Sequence, residues 1–213
     1  MRLPRPIDSE GLGTVATTAM DCNACFHDGA IRRSYVDLPQ PRFVGPGYAN
    51  SSPRIAWVMI NPGAGTADPR NTSWLAVLRK FRTREASLDE VFAEQRRHMP
   101  YWNRLMGFIE LHGLATDDLA LINVAWCASE GDNYPKPMLD ECWRRHTRGW
   151  IELLQPDVVI LSGRDVQSFD ERVRTILPRA SVYHTFHYAY WNRPPGKIRA
   201  TARAIELRKE LGR

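Results

Sequence analysis

The sequence lacks any long hydrophobic run, and this absence excludes a membrane-spanning helix. Its mean hydropathy is -0.42, and an apolar stretch such as 55–60 is far too short to cross a bilayer. The N-terminus shows no apolar segment of the kind that secretory signals carry. Low-complexity tracts and internal repeats are also missing, and 43% hydrophobic with 25% charged residues excludes intrinsic disorder. We therefore expect a cytoplasmic protein with no membrane partner.

Lysine is scarce, because the 29 basic residues are overwhelmingly arginine. The net charge is +5 and the pI is near 9.2. Arginine binds phosphate in a bidentate manner, so a nucleic-acid partner is compatible with this composition. An excess of this size equally fits the arginine-rich usage of a source genome. The charge by itself therefore favours nucleic acid only slightly.

Short apolar runs alternate with amphipathic segments after residue 53, which is the pattern of an α/β domain. The predicted strands are 55–60, 119–124, 157–161 and 181–186. The predicted helices run from Thr72 or Ser73 to 81, from the Ser87–Glu90 capping box toward 98, and over 101–112, 137–154, 165–177 and 197–211. We expect a single α/β domain with a central, mainly parallel four-stranded sheet and helices on both faces.

The first part of the chain differs from the rest. Residues 1–53 are rich in proline and glycine and show little periodicity. We expect them to form an irregular wrap around a core made by 54–213, with one structural domain overall.

Polar side chains occur at the ends of three predicted strands. Asn61 follows the first strand, Asn123 lies in the last turn of the second, and His187 follows the fourth. In parallel α/β sheets, ligands bind outside the carboxyl ends of the strands. The pattern therefore predicts that two amides and one imidazole meet at one edge of the sheet.

The four cysteines have an asymmetric spacing. Cys22 and Cys25 form a C-x-x-C pair in the N-terminal part, whereas Cys127 and Cys142 are separate and follow the second strand. A structural zinc ribbon pairs two such knuckles, while one close pair with two single thiolates suits a [4Fe–4S] cluster. Zinc and four independent free thiols are the alternatives. A cluster would attach residues 1–53 to the core.

Together these motifs resemble the uracil-DNA glycosylase superfamily, and the cysteine order resembles its iron–sulfur branches. Residues 60–63 (INPG) are similar to the first catalytic motif in the asparagine form of mismatch-specific and single-strand-selective enzymes. Residues 185–189 (TFHYA), with NRP at 192–194, resemble the second motif. Residues 123–127 (NVAWC) and 153–163 (LLQPDVVILSG) resemble two characteristic strands. The likeness covers roughly 22–199.

The chain departs from this family pattern at three positions. Asn61 stands where the iron–sulfur branches usually carry an acidic residue, and Met59 stands where glycine is common. Tyr188 replaces the proline after the histidine of the second motif, and no serine follows it. These departures concern base preference and rate more than fold.

The resemblance implies a DNA glycosylase that flips out uracil or a related deaminated base and hydrolyses its N-glycosidic bond. Asn123 would recognise the edge of the base, since an amide offers one donor group and one acceptor. His187 would donate to the base oxygen on which charge develops, with His184 as its rival. Asn61 would position the attacking water. The expected partner is DNA that contains a damaged or deaminated base.

Further contacts follow from the same resemblance. Gly63 would contact the base, and either Trp74 or Phe43 would stack against it. The segment after His187 resembles the loop that wedges into the duplex and contacts phosphates. Its candidate DNA-binding residues are Tyr190, Trp191, Arg193 and Lys197.

Other functions stay open at this point. One is a nucleic-acid-binding protein that keeps the fold and cluster with weak catalysis, and another is an enzyme that handles nucleosides or nucleotides. A dinucleotide site is disfavoured, because Asp68 occupies the third glycine position of the fingerprint that begins at Gly63. A P-loop is excluded, because no Lys-Ser/Thr pair follows. We expect a monomer associated with the nucleoid.

Overall fold

A computed structural model of this protein describes residues 6–26, 29–62, 65–192 and 194–212. Its central element is a four-stranded sheet. Its strands are β1 (Ile55–Met59), β2 (Leu119–Asn123), β3 (Val158–Ser162) and β4 (Ser181–Thr185). They are all parallel and lie in the order β2-β1-β3-β4. The predicted α/β class and four-stranded parallel sheet are therefore confirmed.

Helices flank this sheet on both faces. Within the described ranges they are α1 (Ser9–Met20), α2 (Pro69–Arg82), α3 (Leu88–His98), α4 (Asn103–Leu111), α5 (Lys136–Cys142), α6 (Arg148–Leu154), α7 (Arg164–Gln167), α8 (Asp170–Ile176) and α9 (Pro194–Glu210). Among the residues that the structure describes, no helix has the length and apolar character needed to cross a membrane.

Two hydrophobic layers hold the sheet between the helices. All five positions of β1, β2 and β3 are buried, as expected for strands covered on both faces. Side chains alternate between the faces, so Trp57 packs with Phe108 of α4 on one side. Val58 faces the other layer, which includes Trp150 of α6. The carboxyl ends of the strands stay at one edge.

The expectation that 1–53 is irregular is wrong for the α1 segment. The Asp8 side chain caps this helix by accepting from the backbone N–H of Gly11 at 2.8 Å. Leu12, Ala16 and Ala19 then recur at helical spacing and are buried. Small side chains make this stripe weak in the sequence, yet they let the helix approach the core closely.

Two helix starts illustrate how caps decide the boundaries. α2 begins before the predicted Thr72 or Ser73, because Asp68 caps it by accepting from the N–H of Asn71 at 2.9 Å and proline occupies the first turn. The capping box of α3 is formed as predicted: the Glu90 N–H donates to the Ser87 hydroxyl, and the Glu90 carboxylate accepts from the Ser87 N–H.

Three predicted helices are less regular than expected. The segment 137–154 is divided into α5 and α6 by a π-helical turn at Trp143–Thr147. The segment 165–177 is divided into α7 and α8, and 101–112 begins as a 3-10 turn at Met99–Trp102. The π turn follows Cys142 directly, and such turns are frequent at functional sites.

Candidate functional site

A cleft of about 540 Å³ opens at the carboxyl edge of the sheet. Its walls come from the segment after β1, from the first turn of α4, from the segment before β1 and from the turn after β4. The lining residues are Arg42, Phe43, Met59, Asn61, Pro62, Trp102, Asn103, Arg104, Leu105, Leu121 and Tyr188. Ligands of parallel α/β sheets bind at this edge, so the cleft is the candidate site.

Asn123 is the most unusual polar residue beside this cleft. It ends β2, is 1% exposed, and lies on the sheet face of Leu121, which lines the cleft. Neither its side-chain nitrogen nor its side-chain oxygen has a hydrogen-bond partner among the described residues. Leaving a buried polar group unpaired costs about 1–3 kcal/mol. An amide kept in this state is suited to a ligand that supplies both partners.

Asn61 follows the strand that pairs with the strand of Asn123. β1 and β2 are neighbours with Met59 opposite Asn123, and Asn61 follows Met59 by two residues into the cleft wall. The Asn61 Nδ2 donates to Asp132 Oδ1 at 3.2 Å. This bond orients the amide, so Asn61 Oδ1 is the atom left to accept a hydrogen bond from water or ligand.

Asp132 is a site residue that the sequence analysis missed. It lies in the turn after β2 with φ of +55°, directly after Gly131 at φ of +67°. A non-glycine residue in this left-handed region is uncommon and is often found at functional sites. The only local signal is the Gly131-Asp132 turn. Its approach to Asn61 is a tertiary contact that no pattern in the chain reveals.

His187 follows β4 at the same edge. Its Nδ1 accepts from the Ala189 backbone N–H at 3.3 Å, so the neutral ring carries its proton on Nε2. Burial lowers the pKa of His187 below its usual 6.5. At neutral pH the ring is therefore an uncharged donor through Nε2. Gly163 supports this position, because a Cβ at Gly163 would lie 3.3 Å from the His187 Cβ.

The rival histidine has a different environment. His184 is exposed on β4, and its Nε2 lies 2.6 Å from the Asp170 carboxylate. Arg174 shares this carboxylate. The His184 ring is thus engaged with a carboxylate at the surface, which favours His187 as the functional imidazole.

The sheet order sets the spacing of the three predicted groups. Asn61 and Asn123 lie on neighbouring strands. His187 follows β4, two strand spacings from β1 on the same edge, which is roughly 10 Å. His187 itself is not part of the cleft wall, but its neighbour Tyr188 is. The structure therefore places the two amides at the ends of neighbouring strands and the imidazole farther along the same edge.

Of the two predicted stacking residues, Phe43 lines the cleft. Its ring packs edge-on against Phe92 with centroids 6.2 Å apart. Trp74 is buried, donates from Nε1 to the Gln40 side chain at 2.9 Å, and lines a second cavity of about 270 Å³. Phe43 is thus placed to stack against a ligand in the cleft. The predicted base contact Gly63 lies outside the described residues.

The predicted DNA-binding loop forms a 3-10 turn at Tyr188–Asn192. Tyr190 is exposed and stacks on Phe186 at 5.3 Å. Trp191 instead packs on Phe108 of α4 at 6.0 Å, with a buried Nε1. Lys197 is exposed, and its Nζ lies 5.9 Å from the Trp191 ring. Tyr190 and Lys197 therefore face solvent, whereas Arg193 lies outside the described residues.

The four cysteines line a single cavity of about 10 Å³. Cys22 and Cys25 follow α1, Cys127 lies beyond β2, and Cys142 ends α5. Cys127 and Cys142 are buried, and the Trp126 N–H donates to the Cys142 sulfur at 3.2 Å. Burial raises the pKa of the Cys127 thiol to about 12. Residues distant in the chain thus bring all four sulfurs to one place.

A basic side chain lies beside this cavity. The Arg33 Nη1 lies 3.7 Å from the Cys127 sulfur, and its Nη2 donates to the Cys22 carbonyl at 2.8 Å. A cation at this point would offset the negative charge of four thiolates. Among the described residues, however, no group of three or more His, Cys, Asp or Glu side chains is arranged to hold a single metal ion. Four thiols are the ligand type of a [4Fe–4S] cluster, so the chemistry of these side chains is compatible with such a group, although their arrangement forms no metal site.

Comparison with models of known protein families finds no match for this chain, and a search of curated proteins finds no matching relative. The resemblance to the uracil-DNA glycosylase superfamily accordingly rests on the sequence motifs alone.

Proposed function

We propose that this protein is a DNA glycosylase that hydrolyses the N-glycosidic bond of uracil or a related deaminated base in DNA. The observation that carries the proposal is the Asn123 amide, which is buried with neither polar atom paired among the described residues. It lies at the ligand-binding edge of the sheet, opposite Met59, two residues before Asn61. A flipped base is a ligand that offers both an acceptor and a donor along one edge.

The base would be identified by Asn123. Uracil presents a carbonyl oxygen next to a ring N–H, which pairs with the two atoms of a primary amide. Cytosine presents the reverse order of donor and acceptor, so an amide held in one orientation would leave both atoms mispaired. Such mispairing costs about 1–3 kcal/mol, which corresponds to useful discrimination. Phe43 would stack on the base from the cleft wall.

The departing base would be stabilised by His187. As the glycosidic bond breaks, negative charge develops on the base oxygens. A neutral Nε2–H that is already oriented by the bond from Ala189 to Nδ1 donates without reorganisation. Removing one preorganised donor of this kind costs about 3 kcal/mol of the barrier. A base that extends along the carboxyl edge of the sheet toward β4 would accept this hydrogen bond from His187.

The water would be positioned by Asn61. An amide is too weak a base to deprotonate water, so its Oδ1 would only aim the water at C1′ of the sugar. Asp132 holds the Asn61 amide in this orientation through Nδ2 and adds negative charge beside an oxocarbenium-like transition state. This arrangement would supply the carboxylate that the first motif lacks.

Binding of DNA would use the turn after His187. Tyr190 and Lys197 are exposed. The Tyr190 ring would fill the gap that a flipped nucleotide leaves, and Lys197 would contact a phosphate. Trp191 would support this turn from beneath through its packing on α4. The enzyme would act on chromosomal DNA in the cytoplasm, as a monomer.

Cys22, Cys25, Cys127 and Cys142 would hold a [4Fe–4S] cluster. When bound, this group would act as a structural cross-link that joins the segment after α1 to the loop after β2 and to α5. Purified protein should show broad absorbance near about 400 nm together with iron and acid-labile sulfide. Cys142→Ser should lose both. Stoichiometric zinc without iron would instead support the zinc alternative.

The activity is tested with single- and double-stranded oligonucleotides that contain one uracil, followed by alkaline cleavage of abasic sites. We expect cleavage by the wild type, and loss of most activity in Asn123→Ala and His187→Ala with DNA binding retained. His184→Ala is the matched control and should stay active, because its ring contacts the Asp170 carboxylate at the surface rather than the cleft. Binding without cleavage by the wild type would favour the nucleic-acid-binding alternative. Normal cleavage by both site variants would refute the assignment.

A further inference from the structure

Arg42 is a charged residue of the cleft that the proposed chemistry does not use. It is 8% exposed, although its guanidinium reaches the walls of both the main cleft and the second cavity. Its Nε is buried without a hydrogen-bond partner. The guanidinium lies 5.4 Å from the centre of the Trp102 ring, which lines the same two cavities. Arg42 thus lies where the two cavities meet.

Nothing acidic neutralises this cation within the described part of the chain. Its side chain makes no ion pair there, and the titratable groups that act on it are the phenols of Tyr188 and Tyr134. Burial lowers the pKa of Arg42 to about 10, so it still carries its charge at neutral pH. A buried guanidinium without a counterion is strongly unfavourable unless a ligand supplies the negative charge.

Around Arg42 the cleft is also basic, whereas the Asp132 carboxylate belongs to the Asn61 side, where it accepts from the Asn61 amide. Arg104 lies at the rim of the cleft and the first turn of α4 faces it, which is the positive end of that helix dipole. The described lining residues of the main cleft include no carboxylate. In the second cavity the Asp68 carboxylate is already engaged, since it caps α2 and pairs with Arg70. The groove is therefore cationic around Arg42 and aromatic beside it.

We infer that Arg42 is an anion-binding residue of this cleft and that its ligand is the phosphate group of a nucleotide whose base lies against Phe43. The planar guanidinium presents donors in the geometry that phosphate accepts. The adjoining Phe43 and Trp102 suit the flat, apolar part of the same ligand. The inference rests on the proposed function for the identity of the base, but the phosphate site itself does not require catalysis. The phosphate could belong to a DNA backbone or to a free nucleoside monophosphate.

The site is tested by calorimetric binding of inorganic phosphate, dUMP, deoxyuridine and a uracil-containing oligonucleotide. Arg42→Met removes the charge and keeps a side chain of similar length. Arg42→Lys keeps the charge but lacks the planar, bidentate donor group of the guanidinium. Arg148→Met is the matched surface control. Arg148 is exposed and pairs with Glu152. We expect Arg42→Met to weaken dUMP or oligonucleotide binding roughly ten- to hundredfold, since bonds to charged groups are strong. Arg42→Lys should weaken the binding of these phosphate ligands less than Arg42→Met does, and neither variant should change the binding of deoxyuridine.

The ligands separate the two sources of phosphate. If Arg42→Met weakens binding of the oligonucleotide only, Arg42 binds a phosphate of the DNA backbone. If it weakens binding of dUMP only, Arg42 binds the phosphate of a free nucleotide. Thermal stabilisation of the wild type by inorganic phosphate, relative to chloride at equal ionic strength, supports the site even if a variant fails to fold. Equal binding of every phosphate ligand by wild type and Arg42→Met overturns the inference, even if uracil excision is observed. Phosphate binding that depends on Arg42 without any excision would keep the inference and reject the glycosylase.

Discussion

Replacing Asn123 by leucine should make the protein more stable and abolish its recognition of the base. Leucine has nearly the shape of asparagine but no polar atoms. In the wild type both side-chain polar atoms of Asn123 are buried and unpaired among the described residues, at a cost of about 1–3 kcal/mol. For a chain of 213 residues, each kcal/mol corresponds to about 2–4 °C in Tm. The substitution should therefore raise Tm by about 2–12 °C.

A second buried amide provides the control. Gln95 is 1% exposed like Asn123, and its Oε1 is also unpaired among the described residues, but its Nε2 donates to the Pro41 carbonyl at 2.6 Å. Gln95→Met is nearly isosteric; it removes one unpaired oxygen but leaves that carbonyl without its donor, so its two effects on stability oppose each other. Asn123→Leu removes two unpaired atoms and breaks no hydrogen bond among the described residues, so it should raise Tm more than Gln95→Met does.

The assay is thermal unfolding of both variants beside the wild type, with uracil excision measured on the same preparations. A Tm gain together with lost excision is the signature of an amide kept for a ligand rather than for the fold. If Asn123→Leu lowers Tm, the amide has a stabilising partner such as a buried water, and the reasoning about its role is refuted.

Three further predictions follow from the same edge of the sheet. Gly163→Ala should destabilise the protein by about 1–3 kcal/mol and reduce excision, because Gly163 has φ of +102° and the new methyl group would press on His187. The control is Gly13→Ala in α1, where a methyl group meets open space; it should leave stability unchanged or raise it in the same unfolding experiment. Asp132→Asn should lower the single-turnover excision rate without weakening DNA binding, since it alters the orientation of Asn61, and an unchanged rate would remove Asp132 from the site. Because burial lowers the pKa of His187, the unfolded chain binds its proton more readily than the folded protein does. Stability should therefore fall as pH drops from 6.5 toward the folded pKa, and His187→Gln should flatten that part of the curve in urea titrations.

The strands were predictable because their signal is local. β1 to β3 are short apolar runs ended by polar or turn residues, and each observed boundary lies within one residue of the predicted one. The Ser87 capping box was equally readable, since its two hydrogen bonds join residues three apart. Patterns of this kind depend only on neighbours in the chain.

α1 was missed for a physical reason. Two of its four buried residues, Ala16 and Ala19, are alanine, so the hydrophobic periodicity is weak among threonine and glycine. The helix is held in the fold by close packing against α6 and α2 rather than by a strong apolar stripe. The start of α2 was misplaced although its signal is local: Asp68 accepts from the Asn71 N–H and proline follows it in the first turn, whereas the prediction chose Thr72 or Ser73 as the cap.

In the candidate site, too, some features could be read from neighbours in the chain and others depended on the fold. The sequence by itself determined the α/β class, the positions of Asn61, Asn123 and His187 at strand ends, and the set of four cysteines, because hydrophobic period and motif order are written along the chain. Only the tertiary structure decided that Asp132 holds Asn61 and that Arg42 is buried without an acidic partner among the described residues. The reason is that burial and hydrogen bonding depend on distances between segments, and those distances exist only after the chain has folded.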